Sequence, residues 1–181
     1  MLKEKVINIP NIITLLRLIA TPFFVIALFS DRPVTALILL LFIVAGDGLD
    51  GFLARKLNQA TKVGRAFDSI VDSVVILVSL VSLFVLNKIY LFWVIILIIP
   101  KTINFVVQLI YSKKKHEIVT VTTTFGKISA IVLYMTIILL MLDYRYKIYI
   151  IILAAILEYF KGVKHAFKLN RIYRKLFKSK K

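Results

Sequence analysis

The sequence predicts an all-α, polytopic membrane protein with six transmembrane helices and both termini in the cytoplasm. Three observations carry that expectation. The chain is 60% hydrophobic and has a mean hydropathy of +0.91, above the roughly 45–50% apolar content of soluble domains. Its apolar runs approach the roughly 20 helical residues that cross a bilayer core. Its basic residues gather at the ends and in every second loop, as the positive-inside rule requires.

Taken in order, the first helix is expected over residues 10–30, with Pro10 in its first turn, where a missing N–H costs little. No small-residue cleavage site follows this run, so it reads as a retained helix and not as a signal peptide. The segment "SDRP" then turns the chain. Helices are expected over 33–57 and 64–86, with "NK" turning into a fourth over 89–112. The stretch "SKKKHEIVTVTTT" is polar and β-branched, and reads as a connection. A fifth helix over 125–142, the turn "DYRYK" and a sixth helix over 148–168 complete the plan. The whole chain, 1–181, reads as one membrane domain, with 169–181 as a basic cytoplasmic tail.

Charge fixes the expected orientation. The formal net charge is +16, and in a soluble protein that excess would suggest nucleic acid. Here the clusters "ARKLNQATKVGR", "SKKKH" and "KLNRIYRKLFKSKK" lie beside membrane helices, where they meet anionic headgroups. No nucleic-acid partner is therefore expected. The opposite loops hold only Arg32, Lys88, Arg145 and Lys147, offset by Asp31 and Asp143. Tyr90, Trp93, Tyr144, Tyr146 and Tyr149 form the aromatic belt expected at that far face. With no cysteine in the chain, disulfides and thiolate–metal sites are excluded.

Against this apolar background stand four aspartates, Asp47, Asp50, Asp68 and Asp72, at the cytoplasmic ends of the second and third helices. Carboxylates are expensive at membrane depth and mark function by default. Asp47, Asp50, Gly51 and Ala54 step i, i+3, i+4 and i+7 along one helical face. Gly64, Asp68 and Asp72 step i, i+4 and i+8 along another. Packed side by side, the two helices would aim four carboxylates at one point, and like charges so close repel without cations. Divalent ions resolve the repulsion, and magnesium suits carboxylates, water and phosphate oxygens, with manganese as the alternative. A pair of such ions would clamp the attacking and leaving oxygens of a phosphoryl transfer. Gly51, Ala54 and Gly64 leave room for a bulky ligand; close helix packing would use the same small residues.

The pattern Asp47-x-x-Asp50-Gly51-x-x-Ala54-Arg55, then Gly64-x-x-x-Asp68-x-x-x-Asp72, resembles the signature of the CDP-alcohol phosphatidyltransferase family at all eight positions. The resemblance implies a reaction in which an acceptor hydroxyl attacks the lipid-bonded phosphorus of a CDP-linked lipid and CMP leaves. It implies that Asp47, Asp50, Asp68 and Asp72 bind two divalent cations, and that Asp72 is the general base. It also assigns Gly51, Ala54, Arg55 and Gly64 to the cytidine diphosphate pocket. The planar fork of an arginine suits a diphosphate, although an interfacial arginine also obeys the positive-inside rule. Family likeness suggests a homodimer in the bacterial cell membrane, with its active site facing the cytoplasm.

"NIPNIITLLRLIATPFF", in which Asn11, Thr14 and Arg17 follow one face, resembles the phosphatidylglycerolphosphate synthase branch, as do Gly126-Lys127-Ile128 and "EYFKGVKHAFK". That branch implies CDP-diacylglycerol as donor and glycerol 3-phosphate as acceptor. Two departures stand out. The branch pattern Asp-Pro-Leu-Ala-Asp-Lys reads Asp68-Ser69-Ile70-Val71-Asp72-Ser73 here, and its Ala-Arg-Glu stretch is replaced by "IPKTINFVVQL". Lys101 and Lys127 are the expected acceptor-phosphate residues, with Arg17 as a further candidate. Against this, Lys101 after Pro100 could simply snorkel, and Lys127 could serve as an interfacial anchor. Inositol phosphate, or phosphatidylglycerol as in the related cardiolipin synthases, stays open as acceptor.

The other polar residues read as structural. His116 and His165 lack ligand spacing, Glu158 has lysines nearby, and Ser79 and Ser82 can bond back to their own helix. Two other classes of protein can place acidic residues in a membrane helix. A cation transporter would place its carboxylates near the midplane on broken helices. An inactive relative with a structural role would be consistent with the altered neighbours of Asp68 and Asp72.

Overall fold

The computed structural model describes residues 8–57, 59–115 and 124–178. Among the described residues six helices follow one another: α1 (Ile9–Phe29), α2 (Pro33–Lys56), α3 (Lys62–Val85), α4 (Leu91–Lys115), α5 (Thr124–Met141) and α6 (Lys147–Lys178). The helix count is the expected one. Three helices are long and apolar enough to cross a membrane, over Ile9–Phe29, Pro33–Lys56 and Val63–Val85. Among the described residues α4 and α5 carry shorter apolar stretches, Leu91–Asn104 and Ile128–Met141. Large apolar side chains such as Phe23, Ile26, Ile38 and Phe42 are exposed along α1 and α2, as a lipid-facing surface requires.

Local chemistry explains where the helices start. The Asn8 side chain accepts the Asn11 backbone N–H at 3.0 Å, which caps α1. Thr61 does the same for Gly64 at 2.9 Å at the head of α3. Each cap satisfies a donor that has no partner inside its own helix. Helix α2 begins on Pro33, a residue preorganised for a first turn, and ends on Arg55 and Lys56, whose charge complements the helix dipole.

Helices α1, α3 and α5 stop by one shared device. Asp31, Asn87 and Asp143 adopt φ of 50°, 57° and 52°. Asp and Asn enter this left-handed region more readily than other non-glycine residues. After each of them the chain donates back five residues: Arg32 N–H to the Ala27 carbonyl at 3.0 Å, Lys88 to Leu83 at 2.9 Å and Tyr144 to Leu139 at 3.0 Å. This is the Schellman arrangement, and it closes all three loops expected on the far side of the membrane. Helix α6 stops late. It was expected to end near residue 168 but continues to Lys178, because no glycine or proline interrupts the chain after Gly162.

The residues form two compact units. The first comprises residues 1–90 and 137–144, and the second comprises 91–136 and 145–181. In the first, α1 packs along both α2 and α3, with Phe24, Leu40, Ile43, Ile76 and Leu80 fully buried. A Lys88–Asp143 ion pair at 3.5 Å ties the α3 exit to the end of α5 in the same unit. In the second, α4 packs on α6. Gly162 permits that approach: a Cβ there would come within 3.3 Å of the Asn104 side-chain nitrogen. Glu158 is fully buried in this unit. It accepts from Ser129 on α5 and pairs with Lys161 at 3.3 Å, so the nearby lysine is indeed its partner. His116 lies outside the described residues, and His165 falls on α6.

Candidate active site

Helical periodicity puts Asp47 and Asp50 on one face of α2, and Asp68 and Asp72 on one face of α3. The structure brings all four together around a cation from a third helix. Arg17, on α1, is 1% exposed. Its Nη1 donates to Asp50 Oδ2 at 3.1 Å and to Asp68 Oδ1 at 2.9 Å. Its Nη2 donates to Asp72 Oδ1 at 2.5 Å and lies 3.4 Å from Asp47 Oδ1. Its Nε donates to the Ile43 carbonyl at 3.0 Å. A planar guanidinium with five donors is the side chain best shaped to meet several carboxylates at once.

The neighbours of Arg17 hold it there. Gly46 lies against its aliphatic stem, and a Cβ at that position would fall 2.7 Å from Cγ and 2.8 Å from Cδ. Asp50 is the most buried of the acids. Thr14 Oγ1 lies 2.9 Å from Asp50 Oδ2 and 3.1 Å from the Pro10 carbonyl, sharing one proton between them. One turn after Arg17, Thr21 donates to the Arg17 carbonyl at 2.9 Å. Thr14, Arg17 and Thr21 are buried along one stripe of α1, so the face seen in the sequence is the one turned towards the acids.

The donor set suits a hard cation. Asp47, Asp50 and Asp68 each offer an oxygen, and the three lie within 4.8 Å of one another. Three such oxygens would supply part of the shell of a hard divalent cation, with water or phosphate oxygens supplying the rest.

Beside the acids lies a cleft whose enclosed volume is about 60 Å³. Gly51, Ala54 and Gly64 line it, as do Asn11, Gln59 and Arg65. Gly51 faces open space, with nothing within 4 Å of a Cβ placed there. Gly64 is the reverse case, because a Cβ would meet the Asn11 side-chain oxygen at 2.5 Å and Thr61 Oγ1 at 2.8 Å. The two glycines therefore have different reasons to be small. Arg55 is exposed at the end of α2 and is not among the lining residues, whereas Arg65 is. Lys101, on α4, and Lys127, on α5, belong to the second unit.

The sequence offers Arg17 only as a candidate for an acceptor pocket; the structure engages it with all four acids. A sequence signal existed. An arginine inside an apolar helix needs an acidic partner, and these four aspartates are the nearest acids at membrane depth.

Fold and donor set together define a class: a helical membrane protein with a carboxylate cluster that could hold a metal ion at the end of two of its apolar helices. The chain belongs to the CDP-alcohol phosphatidyltransferase family, whose model matches residues 7–160. It is 41% identical over 75 residues to a CDP-diacylglycerol–glycerol-3-phosphate 3-phosphatidyltransferase of Aquifex aeolicus, covering 41% of this chain and 42% of that protein. A protein of the same description from Wigglesworthia glossinidia brevipalpis is 34% identical over 113 residues, covering 61% and 59%. One from Yersinia pestis is 40% identical over 78 residues, covering 41% and 43%. The chain thus spans about half the length of the curated relatives it matches.

Proposed function

We propose that this protein transfers a phosphatidyl group from CDP-diacylglycerol to glycerol 3-phosphate, releasing CMP. The observation that carries this reading is the convergence of Asp47, Asp50, Asp68 and Asp72 beside a cleft lined by Gly51, Ala54 and Gly64. Support for the acceptor comes from the relatives described as glycerol-3-phosphate 3-phosphatidyltransferases.

Asp47, Asp50, Asp68 and Asp72 would hold two divalent cations, magnesium or manganese, and these would supply positive charge to the diphosphate and to the leaving oxygen. Gly51 and Ala54 keep the wall of the cleft low enough for the nucleotide to lie against the backbone. Asp72 accepts the proton of the acceptor hydroxyl as that oxygen bonds to the lipid-bonded phosphorus. The bond from that phosphorus to the bridging oxygen breaks, and CMP departs with the bridging oxygen. Arg55 is assigned to the diphosphate, and Lys101 and Lys127 to the acceptor phosphate, as point charges without a bidentate fork. All six helices cross the membrane, with both termini and the catalytic centre at the cytoplasmic face, where the soluble acceptor is available. The chain acts as one membrane domain in a homodimer.

The test is CMP release by purified, detergent-solubilised protein given CDP-diacylglycerol and magnesium. Glycerol 3-phosphate, inositol phosphate and phosphatidylglycerol are offered separately, with Asp72→Asn as control. Release that requires glycerol 3-phosphate and vanishes in Asp72→Asn is the expected result. Release with another acceptor alone would overturn the acceptor assignment and keep the chemistry. No release with any acceptor from folded protein would overturn the enzyme reading.

A further inference from the structure

Four carboxylates gathered at one point repel one another unless a cation or a proton offsets their charge. In this chain the cation is built in. We propose that Arg17 is the internal counter-ion of the aspartate cage: it holds the cage assembled when metal is absent and yields its place as divalent cations load. The proposal deepens the metal-dependent reading above by naming what competes for the metal site.

Geometry carries it. The guanidinium bonds carboxylates that a cation would need. Nη1 is shared between Asp50 and Asp68, two of the three residues whose oxygens converge within 4.8 Å. Nη2 takes Asp72 and approaches Asp47. The guanidinium bonds these carboxylates at 2.9–3.1 Å for Asp68 and Asp50. A divalent ion placed among the same acids would face its positive charge at close range, so the two compete.

The remainder of Arg17 is built to stay. Its stem lies in the space left by Gly46, and its Nε is anchored on the Ile43 carbonyl at 3.0 Å, away from the carboxylates. Only the two terminal nitrogens need to withdraw. Charge sets the balance. With Arg17 alone one positive charge faces four carboxyl groups, a shortfall that favours exchange for divalent ions. After exchange a positive group remains beside the cage, which suits a site that must next accept a diphosphate.

A purely structural arginine and a competing one differ in their effect on metal affinity. The test uses full-length protein in detergent, stripped with EDTA. Mn²⁺ binding is measured by electron paramagnetic resonance and thermal unfolding is measured with and without Mn²⁺. For Arg17→Met we expect metal-free protein that unfolds at lower temperature, a larger Mn²⁺-induced rise in unfolding temperature than in the parent, and Mn²⁺ binding at least about tenfold tighter. Arg17→Lys keeps the charge but loses the fork, so its Mn²⁺ affinity should fall between the two. Unchanged or weaker Mn²⁺ binding in Arg17→Met, with equal loss of stability in both conditions, would overturn the proposal. If Arg17→Met folds only when prepared with Mn²⁺, the proposal stands, because a cation is then shown to be what the cage lacks. Failure of both variants to fold even with Mn²⁺ would overturn it, since the arginine would then be needed for more than charge. All of these readouts are independent of turnover, so an error in the assigned acceptor leaves them untouched.

Discussion

Gly46 and Gly48 sit two residues apart on α2, and the structure predicts opposite outcomes when each becomes alanine. A Cβ at Gly46 would fall 2.7 Å from Arg17 Cγ and 2.8 Å from Cδ, where carbon atoms ordinarily stay about 3.5–4.0 Å apart. The Arg17 stem would have to move by about 1 Å, yet it is held by the Ile43 carbonyl at one point and by the aspartates at its tip. Overpacking of this kind costs about 1–3 kcal/mol. Replacing a helical glycine by alanine returns about 1 kcal/mol of helix propensity. Gly46→Ala should therefore lose up to about 2 kcal/mol, a fall of several degrees in unfolding temperature for a chain of this size. At Gly48 nothing lies within 4 Å of the added carbon, so only the propensity gain remains and the variant should be as stable as the parent or more so. Far-UV circular dichroism melts in one detergent at one scan rate would compare them. If Gly46→Ala matched Gly48→Ala, the close seating of Arg17 on α2 would be refuted.

Other outcomes follow from the same structure. Gly51 faces open space at the cleft, so Gly51→Ala should keep or raise the melting temperature, as at Gly48, while CMP release at limiting CDP-diacylglycerol falls by about tenfold, the scale of a lost 1.4 kcal/mol. Glu158→Ala removes the partner of Ser129 and Lys161 from a buried position. A loss of about 2–3 kcal/mol is expected in denaturant or thermal unfolding, with Mn²⁺ affinity unaltered. Lys101→Ala should raise the KM for glycerol 3-phosphate with little change in the KM for CDP-diacylglycerol, and steady-state kinetics with each substrate varied in turn would show it. An unchanged acceptor KM would remove Lys101 from the acceptor pocket.

Much of this site could be read before any coordinates. The aspartate spacings i, i+3 and i, i+4 have one helical meaning, because 3.6 residues per turn leaves them on one face whatever packs against it. The helix count and most boundaries follow similarly from apolar run length and from turn residues, as at "SDRP" and "DYRYK". These are properties of one segment at a time.

What depended on two segments meeting was not legible. That Arg17 reaches all four acids depends on how α1 lies along both α2 and α3, a register no local pattern encodes. The same register decides that Gly46 is a seat for an arginine stem, that Gly51 borders open space and that Gly64 meets Asn11, though glycine looks alike in all three places. It also puts Arg65, and not Arg55, among the residues lining the cleft. By itself the sequence determined which faces carry charge and that the charge must be compensated, since burial of carboxylates in an apolar chain allows nothing else. Only the tertiary structure decided that the compensating cation is a residue of the chain itself, because proximity between helices arises from packing and not from spacing along them.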